Sequence, residues 1–337
     1  MRNRSLLVIV AIFSICFVST ITSGHIPKVP DDGTTLATAT EIIDPWKSWF
    51  YYSELSSGEA HYYKFDAIAN ERIRFMVNVP IPEGARGFNP TFILMGPGIT
   101  NQGTPHASIE IPSSAGVMVI DPSALEPEYE GFTPMSQYMT VDLNMSAPET
   151  GTYYIAIYDG ITGGRYALVT GYVEAYTIVG WLAVPLDVLT LLQWSGQNLV
   201  FILLPLFIPL ILGIVFLLLK HRSMFTISQI PALLGTMGGL MFLGSSLSFF
   251  SQTVYALTQA PANWTVWASV IFATLPLILG IIVLRLVQRE NWDQSKTKIL
   301  TLVIISLIAP FVWAGLYIGP TLVIIAGLLP LVINTPN

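Results

Sequence analysis

The residues with the most direct claim on chemistry are four histidines, one cysteine and a short acidic run. His25 follows Gly24 at the end of an apolar leader. Cleavage there would make His25 the first residue of the mature chain, able to hold copper through its amine and Nδ1, and imidazole suits that metal. His61 and His106 are the other histidines ahead of Leu199 and the candidates to complete such a site. Asp121, Glu126, Glu128 and Glu130 offer the carboxylate oxygens that calcium takes. The same four residues also read as a solvated acidic loop. There is no HExxH, GxSxG, P-loop or EF-hand pattern. Gly96, Gly98 and Gly103 follow a strand-like run and lead into no helix, so they read as a turn. Cys16 is the only cysteine. If the leader is removed, the mature chain carries no thiol, which excludes cysteine-based zinc sites, iron–sulfur clusters and a cysteine nucleophile. No cofactor is required, and the balance leans away from an enzyme.

The elements that would position these residues divide at Leu199–Leu219, an uncharged run of 21 residues containing Pro205 and Pro209. As a helix it rises about 31 Å, enough for a hydrocarbon core of about 30 Å. Further spans are expected at 230–250, 264–284 and 299–318, with 321–333 as a possible short fifth segment after a break at Gly319-Pro320. The basic residues Lys220, His221 and Arg222, and the set Arg285, Arg289, Lys296 and Lys298, mark the loops 220–229 and 285–298 as cytoplasmic. The expectation is a multi-pass plasma-membrane protein with an extracellular N-terminal domain. The sequons at Asn144 and Asn263 then lie outside. Gly235, Gly239 and Gly244 form a small-residue face for helix packing, inside the bundle or against a partner. The spans hold no Asp, Glu, His or Lys, which disfavours a coupled transporter.

Residues 1–24 have the layout of a secretory signal: Arg2 and Arg4, an apolar run, then small residues before His25. A retained anchor is the alternative. Residues 25–45 read as a leader into a domain at 46–174. Between His25 and Glu174 there are 18 acidic and 7 basic residues, a net of −11, within a chain total of −6. Such a domain repels nucleic acid and anionic headgroups. Strands are expected at Trp49–Glu54, His61–Asp66, Arg72–Val79, Thr91–Met95, Ser108–Ile111, Val117–Ile120, Gln137–Leu143, Thr152–Tyr158 and Tyr166–Val173. Their spacing and alternation indicate an antiparallel β-sandwich. The joint at 175–198 is mostly apolar, with Trp181 and Trp194 near its ends, and reads as an interfacial helix seating the sandwich on the membrane.

The stretches SSGEAHYYKF (Ser56–Phe65), FNPTFILMGPG (Phe88–Gly98), GTYYIAIYDG (Gly151–Gly160) and GRYALVTG (Gly164–Gly171) occur in that order. Together they resemble bacterial and archaeal pre-peptidase C-terminal domains. The resemblance covers roughly Trp46 to Val173. It implies a jelly-roll sandwich similar to carbohydrate-binding modules, usually an appended, non-catalytic part of a secreted protein. The His25 arrangement also resembles the copper site of membrane monooxygenase sandwich subunits, but the close His-x-His pair of those sites is missing here.

The expectation for function is therefore binding or assembly: an all-β extracellular domain on a helical bundle, presented to a glycan, an envelope polymer or a protein partner. An accessory subunit of a membrane transporter or enzyme complex is the second reading, and a copper-binding oxidase-type subunit the third. Orientation can be tested by labelling. Single cysteines in Arg289–Lys298 should react only from inside the cell, and those in Thr258–Asn263 only from outside. The reverse pattern would invert the topology.

Overall fold

The computed structural model describes residues 26–123, 126–220 and 229–333. The expected leader peptide, His25 and most of the 220–229 loop lie outside these residues. The N-terminal part is built from β1 (Ile26–Lys28), β2 (Thr40–Glu41), β3 (Trp49–Leu55), β4 (Ala60–Ala67), β5 (Arg72–Pro80), β6 (Thr91–Gly96), β7 (Gly116–Ile120), β8 (Pro127–Glu130), β9 (Met135–Ser146), β10 (Gly151–Tyr158) and β11 (Gly164–Thr170). They form two sheets, β1-β3-β11-β5-β9-β8 (sheet A) and β2-β4-β10-β6-β7 (sheet B).

Period-two alternation explains which side chains meet between the sheets. Ile73, Phe75, Val77 and Val79 of β5 point inward, as do Tyr153, Ile155 and Ile157 of β10. Phe65 packs on Phe75 and Tyr153, with ring centroids 4.8 and 5.5 Å away. Three expectations are corrected. The sheets are mixed, not purely antiparallel, because β1 pairs parallel with β3 and β2 parallel with β4. Both of these short strands come from the segment read as a leader. Ser108–Ile111 is not a strand; it lies in a loop whose Ile109 covers the outer face of sheet B. The acidic stretch read as a loop contains β8, whose Tyr129 is buried.

Sheet A is apolar on its outer face as well. Phe50, Met76, Ala167 and Val169 point away from the sandwich core and must be covered. Helix α1 (Ile81–Ala85) is a single turn after β5. Helix α2 (Ile178–Trp194) is the joint, and its Leu191, Leu192 and Trp194 lie on that outer face. The Thr177 hydroxyl caps α2 by accepting from the Gly180 N–H at 3.0 Å.

Three helices are long and apolar enough to cross a membrane among the described residues: α3 (Leu199–Lys220), α4 (Ile230–Leu257) and α5 (Val266–Val287). Pro205 and Pro209 are accommodated inside α3. The expected fourth span is not one helix. Helix α6 (Lys296–Ile308) has 13 residues, about 20 Å. It ends in a 3-10 turn at Ala309–Val312, and left-handed backbone follows at Trp313, Gly315, Leu316 and Tyr317. Helix α7 (Ile318–Ile333) then turns back. The break therefore precedes Gly319-Pro320, which lies in the first turn of α7, where a missing N–H costs nothing.

Helices α6 and α7 form a hairpin. Gly327 near the end of α7 faces Ile299, Leu302 and Val303 of α6. At the tip, the Gly315 N–H donates to the Ser245 hydroxyl of α4 at 2.7 Å. Trp292 packs with Val287 where α5 ends, so the hairpin enters and leaves the bundle at the end away from the sandwich.

The small residues of α4 pack inside the bundle. A Cβ on Gly235 would meet Val287, and one on Gly239 would meet Leu284, both of α5; one on Gly244 would lie 1.8 Å from the Leu206 carbonyl oxygen of α3. Gly244→Leu should therefore wedge α3 off α4 and lower the melting midpoint of the detergent-solubilised chain, since overpacking typically costs about 1–3 kcal/mol. An unchanged midpoint would mean that these helices do not pack at this depth.

Candidate functional site

The sandwich meets the bundle through the β8–β9 turn. The Tyr129 hydroxyl pairs with that of Ser269 at 2.5 Å, and Ser269 also reaches the Gly131 carbonyl. The Ser136 hydroxyl donates to the Ala256 carbonyl, and the Asn263 carboxamide to the Tyr129 carbonyl, both at 2.8 Å. Gly131 is pressed so closely on α5 that a Cβ would lie 2.0 Å from the Thr265 carbonyl oxygen. Beside this seam Phe132 enters an aromatic cluster with Tyr176, Trp181, Phe249, Phe272 and Trp313. Trp313 stacks on Phe272 with 4.1 Å between ring centroids and 10° between planes.

Glu130 closes the turn. Its carboxylate accepts the N–H groups of Phe132 and Thr133 at 2.8 and 2.7 Å. Burial pushes this carboxyl up to about 8, against the pull of those two N–H groups, and the Glu174 carboxylate adds to the rise. Glu128 is also raised: partial desolvation leads, although the residue is exposed overall, and Asp142 and Glu126 add to it.

Of the sequence-derived metal candidates, His25 lies outside the described residues, and the described ones are not gathered together. No group of three or more His, Cys, Asp or Glu able to hold a metal ion occurs among the described residues. His61 Nδ1 lies 3.0 Å from the Tyr166 hydroxyl, which lies 2.8 Å from that of Tyr63. Burial lowers the His61 pKa, opposed by the Glu59 and Asp32 carboxylates, and the ring is half-buried between the sheets. His106 stacks on Tyr158 at 4.9 Å and bonds to the Ser108 hydroxyl. Asp121, Glu126 and Glu128 are exposed, whereas Glu130 turns toward its own backbone.

Trp181 and Trp194 are packed against protein. The Trp181 N–H donates to the Phe311 carbonyl at 2.9 Å, and Trp194 stands edge-on to Phe50. The exposed tryptophans are Trp264 (63%) and Trp267 (67%), at the sandwich end of α5. The signal for them was present in the sequence, since they begin a span and tryptophan prefers the headgroup level. Of the sequons, Asn144 is exposed and accepts from Arg72 Nε at 3.0 Å. The attachment nitrogen of Asn263 is already engaged with Tyr129.

Two further features escaped the sequence reading. Glu83 is 3% exposed and lies between Arg165 Nε at 2.7 Å and the Arg86 guanidinium. Arg165 also donates to the Gln193 carbonyl at the end of α2, which ties the sandwich to the joint. A buried carboxylate needs such partners, but nothing in the spacing of Glu83, Arg86 and Arg165 reveals the pairing. The second feature is a groove of about 650 Å³ beside β2, β4 and β10. Trp46 and Tyr154 line it, with the carboxylates of Glu41, Asp44, Asp66 and Glu71; Lys64 pairs with Glu41 at 3.6 Å, and Lys47, beside the Trp46 ring, pairs with Asp44 at 2.6 Å.

No family model matches this chain, and neither does any curated protein.

Glu130 gives the seam a pH dependence of known sign. The folded chain holds its proton to about pH 8, whereas an unfolded chain releases it near the ordinary carboxylate value. Stability contributed by this group therefore falls as pH rises through that window. The melting midpoint of the full chain should drop between about pH 5 and about pH 9, and Glu130→Gln should flatten the drop. A profile identical in the variant would remove Glu130 as the source.

Proposed function

We propose that this chain is a membrane-anchored binding protein that presents the Trp46–Tyr154 groove to a glycan on the outer side of the cell membrane. The observation that carries this reading is position. Pro80 and Gln137, paired at one end of sheet A, adjoin the seam, while Arg72 and Ser146 are paired at the other end. The groove lies toward that second end, on the outer face of sheet B and beside Ile68, Glu71 and Thr150. Nine residues of β5 separate the two ends, about 26 Å at 3.3 Å per residue. One end is thus bonded to the bundle, and the other is held out in a fixed pose.

The lining suits a hydroxyl-rich ligand. Half-buried Trp46 and Tyr154 offer flat apolar surface, and carboxylates accept hydrogen bonds from hydroxyl groups. Asp44 is paired with Lys47 and Glu41 with Lys64, and the remaining carboxylates of Asp66 and Glu71 keep the groove negative and repel anionic polymers, so the ligand class is a neutral or amino-sugar glycan. Groove and seam share no residue, so the bundle acts as mount and the groove as reader.

The full chain in nanodiscs should be retained on an uncharged or amino-sugar polysaccharide but not on a polyanionic one. Tyr154→Ala should weaken retention about tenfold, the scale of one lost aromatic contact. Retention unchanged in both Tyr154→Ala and Trp46→Ala, or confined to the polyanion, would overturn the proposal.

A further inference from the structure

Gln252 of α4 is 2% exposed, and neither oxygen nor nitrogen of its carboxamide has a hydrogen-bond partner. A buried amide is seldom left in that state, because each group loses its water without replacement. The side chain lines a half-open cleft of about 60 Å³ where the joint, α3, α4 and the hairpin tip converge. The rest of the wall is largely apolar and includes Leu189 and Leu192 of α2, Ile202 and Leu206 of α3, Phe249 of α4 and Leu316 of the tip. Room on this scale admits a few water-sized groups or part of a hydrocarbon chain whose remainder continues outside.

The depth of the cleft identifies the chemistry. Antiparallel packing of α4 on α5 sets Gly235 against Val287, Gly239 against Leu284 and Phe249 beside Phe272. The same register puts Gln252 level with Ser269. Exposed Trp267 is half a turn nearer the sandwich, and Trp264 just beyond it. Tryptophan side chains exposed on a membrane protein sit at the headgroup boundary. Gln252 therefore lies just beneath that boundary, at the level where acyl chains join their glycerol by ester groups.

We propose that this cleft binds one ester-linked acyl chain of a bilayer lipid from the sandwich-side leaflet. The chain occupies the apolar wall, its ester carbonyl accepts from Gln252 Nε2, and interfacial water satisfies Oε1. The joint helix contributes to the wall, so the lipid would be a structural component of the seat beneath the sandwich. The site is independent of the groove described above and stands or falls without it.

The test uses the full chain in nanodiscs and two phosphatidylcholine probes. Both carry a photoactivatable diazirine in the chain, one ester-linked and the other ether-linked, so that only the first offers a carbonyl. After illumination, cross-links are mapped by mass spectrometry to Val188–Leu192 and Leu316, with the lipid-facing stretch Ile211–Val215 of α3 as reference. The cleft should take up at least fivefold more of the ester probe than of the ether probe, while the reference takes up both equally. Gln252→Leu should reduce the ester probe to the ether level at the cleft and leave the reference unchanged. Equal labelling of the cleft by both probes in the unmodified chain, or none, overturns the proposal without any variant having to fold. An ester preference that survives Gln252→Leu overturns the role of the amide.

Discussion

Trp313 lies flat on Phe272 and spends its indole N–H on the Trp181 carbonyl at 3.2 Å, while the Trp181 indole donates back to Phe311 at 2.9 Å. Two backbone carbonyls, Phe311 at the break between α6 and α7 and Trp181, whose i+4 residue Pro185 has no N–H to offer, are thereby engaged by tryptophans from the opposite segment. Irregular backbone within a bundle is tolerated only where its polar groups find partners inside the protein. The hairpin tip can therefore stop at this level only because the joint meets it there. The joint in turn is held because Phe132, from the sandwich, stands edge-on to Trp313 at 5.0 Å. Each aromatic pair contributes about 0.5–1.5 kcal/mol beyond its buried area. Six rings from five stretches of chain share this cluster, so removing one ring loosens several interfaces together.

The sandwich strands were legible because inward and outward residues alternate, and Arg72–Val79 and Thr152–Tyr158 fell within a residue of the strands observed. The strands that went unread are short or edge elements, β1, β2 and β8, with three, two and four residues. These form by adding to an existing edge, and that information resides in the partner strand. The long spans were legible from length and apolarity alone. The hairpin was not, because an uncharged run looks the same whether it crosses once or folds back. Its turn depends on left-handed backbone at Trp313, Leu316 and Tyr317, residue types that rarely adopt it and so give no warning. Trp181 and Trp194 were read as headgroup anchors because tryptophan is enriched there. A protein interior also accepts an indole when its N–H finds a carbonyl, and both of these do.

The candidate site divides along the same line. Histidine and carboxylate spacing suggested metals, yet spacing along the chain says little about a sandwich, where strands adjacent in sequence can lie in different sheets. His61 is on β4 of sheet B, and the Tyr166 that takes its Nδ1 is on β11 of sheet A. The groove draws residues from β2, the segment after it, β4, the β4–β5 and β9–β10 connections and β10, and no local pattern joins these six pieces.

A sandwich has two outer faces and two ends, and in this chain one face, one end and part of the other face are already covered. The outer face of sheet A carries Phe50, Met76 and Val169 and must lie under the joint helix. That of sheet B carries Ile93, Met95 and Val117, covered in part by Leu36, Ala39 and Ile109 from two loops. One end is spent on the seam, where Gly131 touches the α5 backbone closely enough to exclude any side chain. What stays open is the remaining end and the adjoining part of sheet B, where the β4–β5 and β9–β10 connections lie beside the crossing from β2 to β3. Connecting segments tolerate sequence change without disturbing a core. Side chains lining the groove there can therefore change while the faces and the seam keep the pose of the domain unchanged.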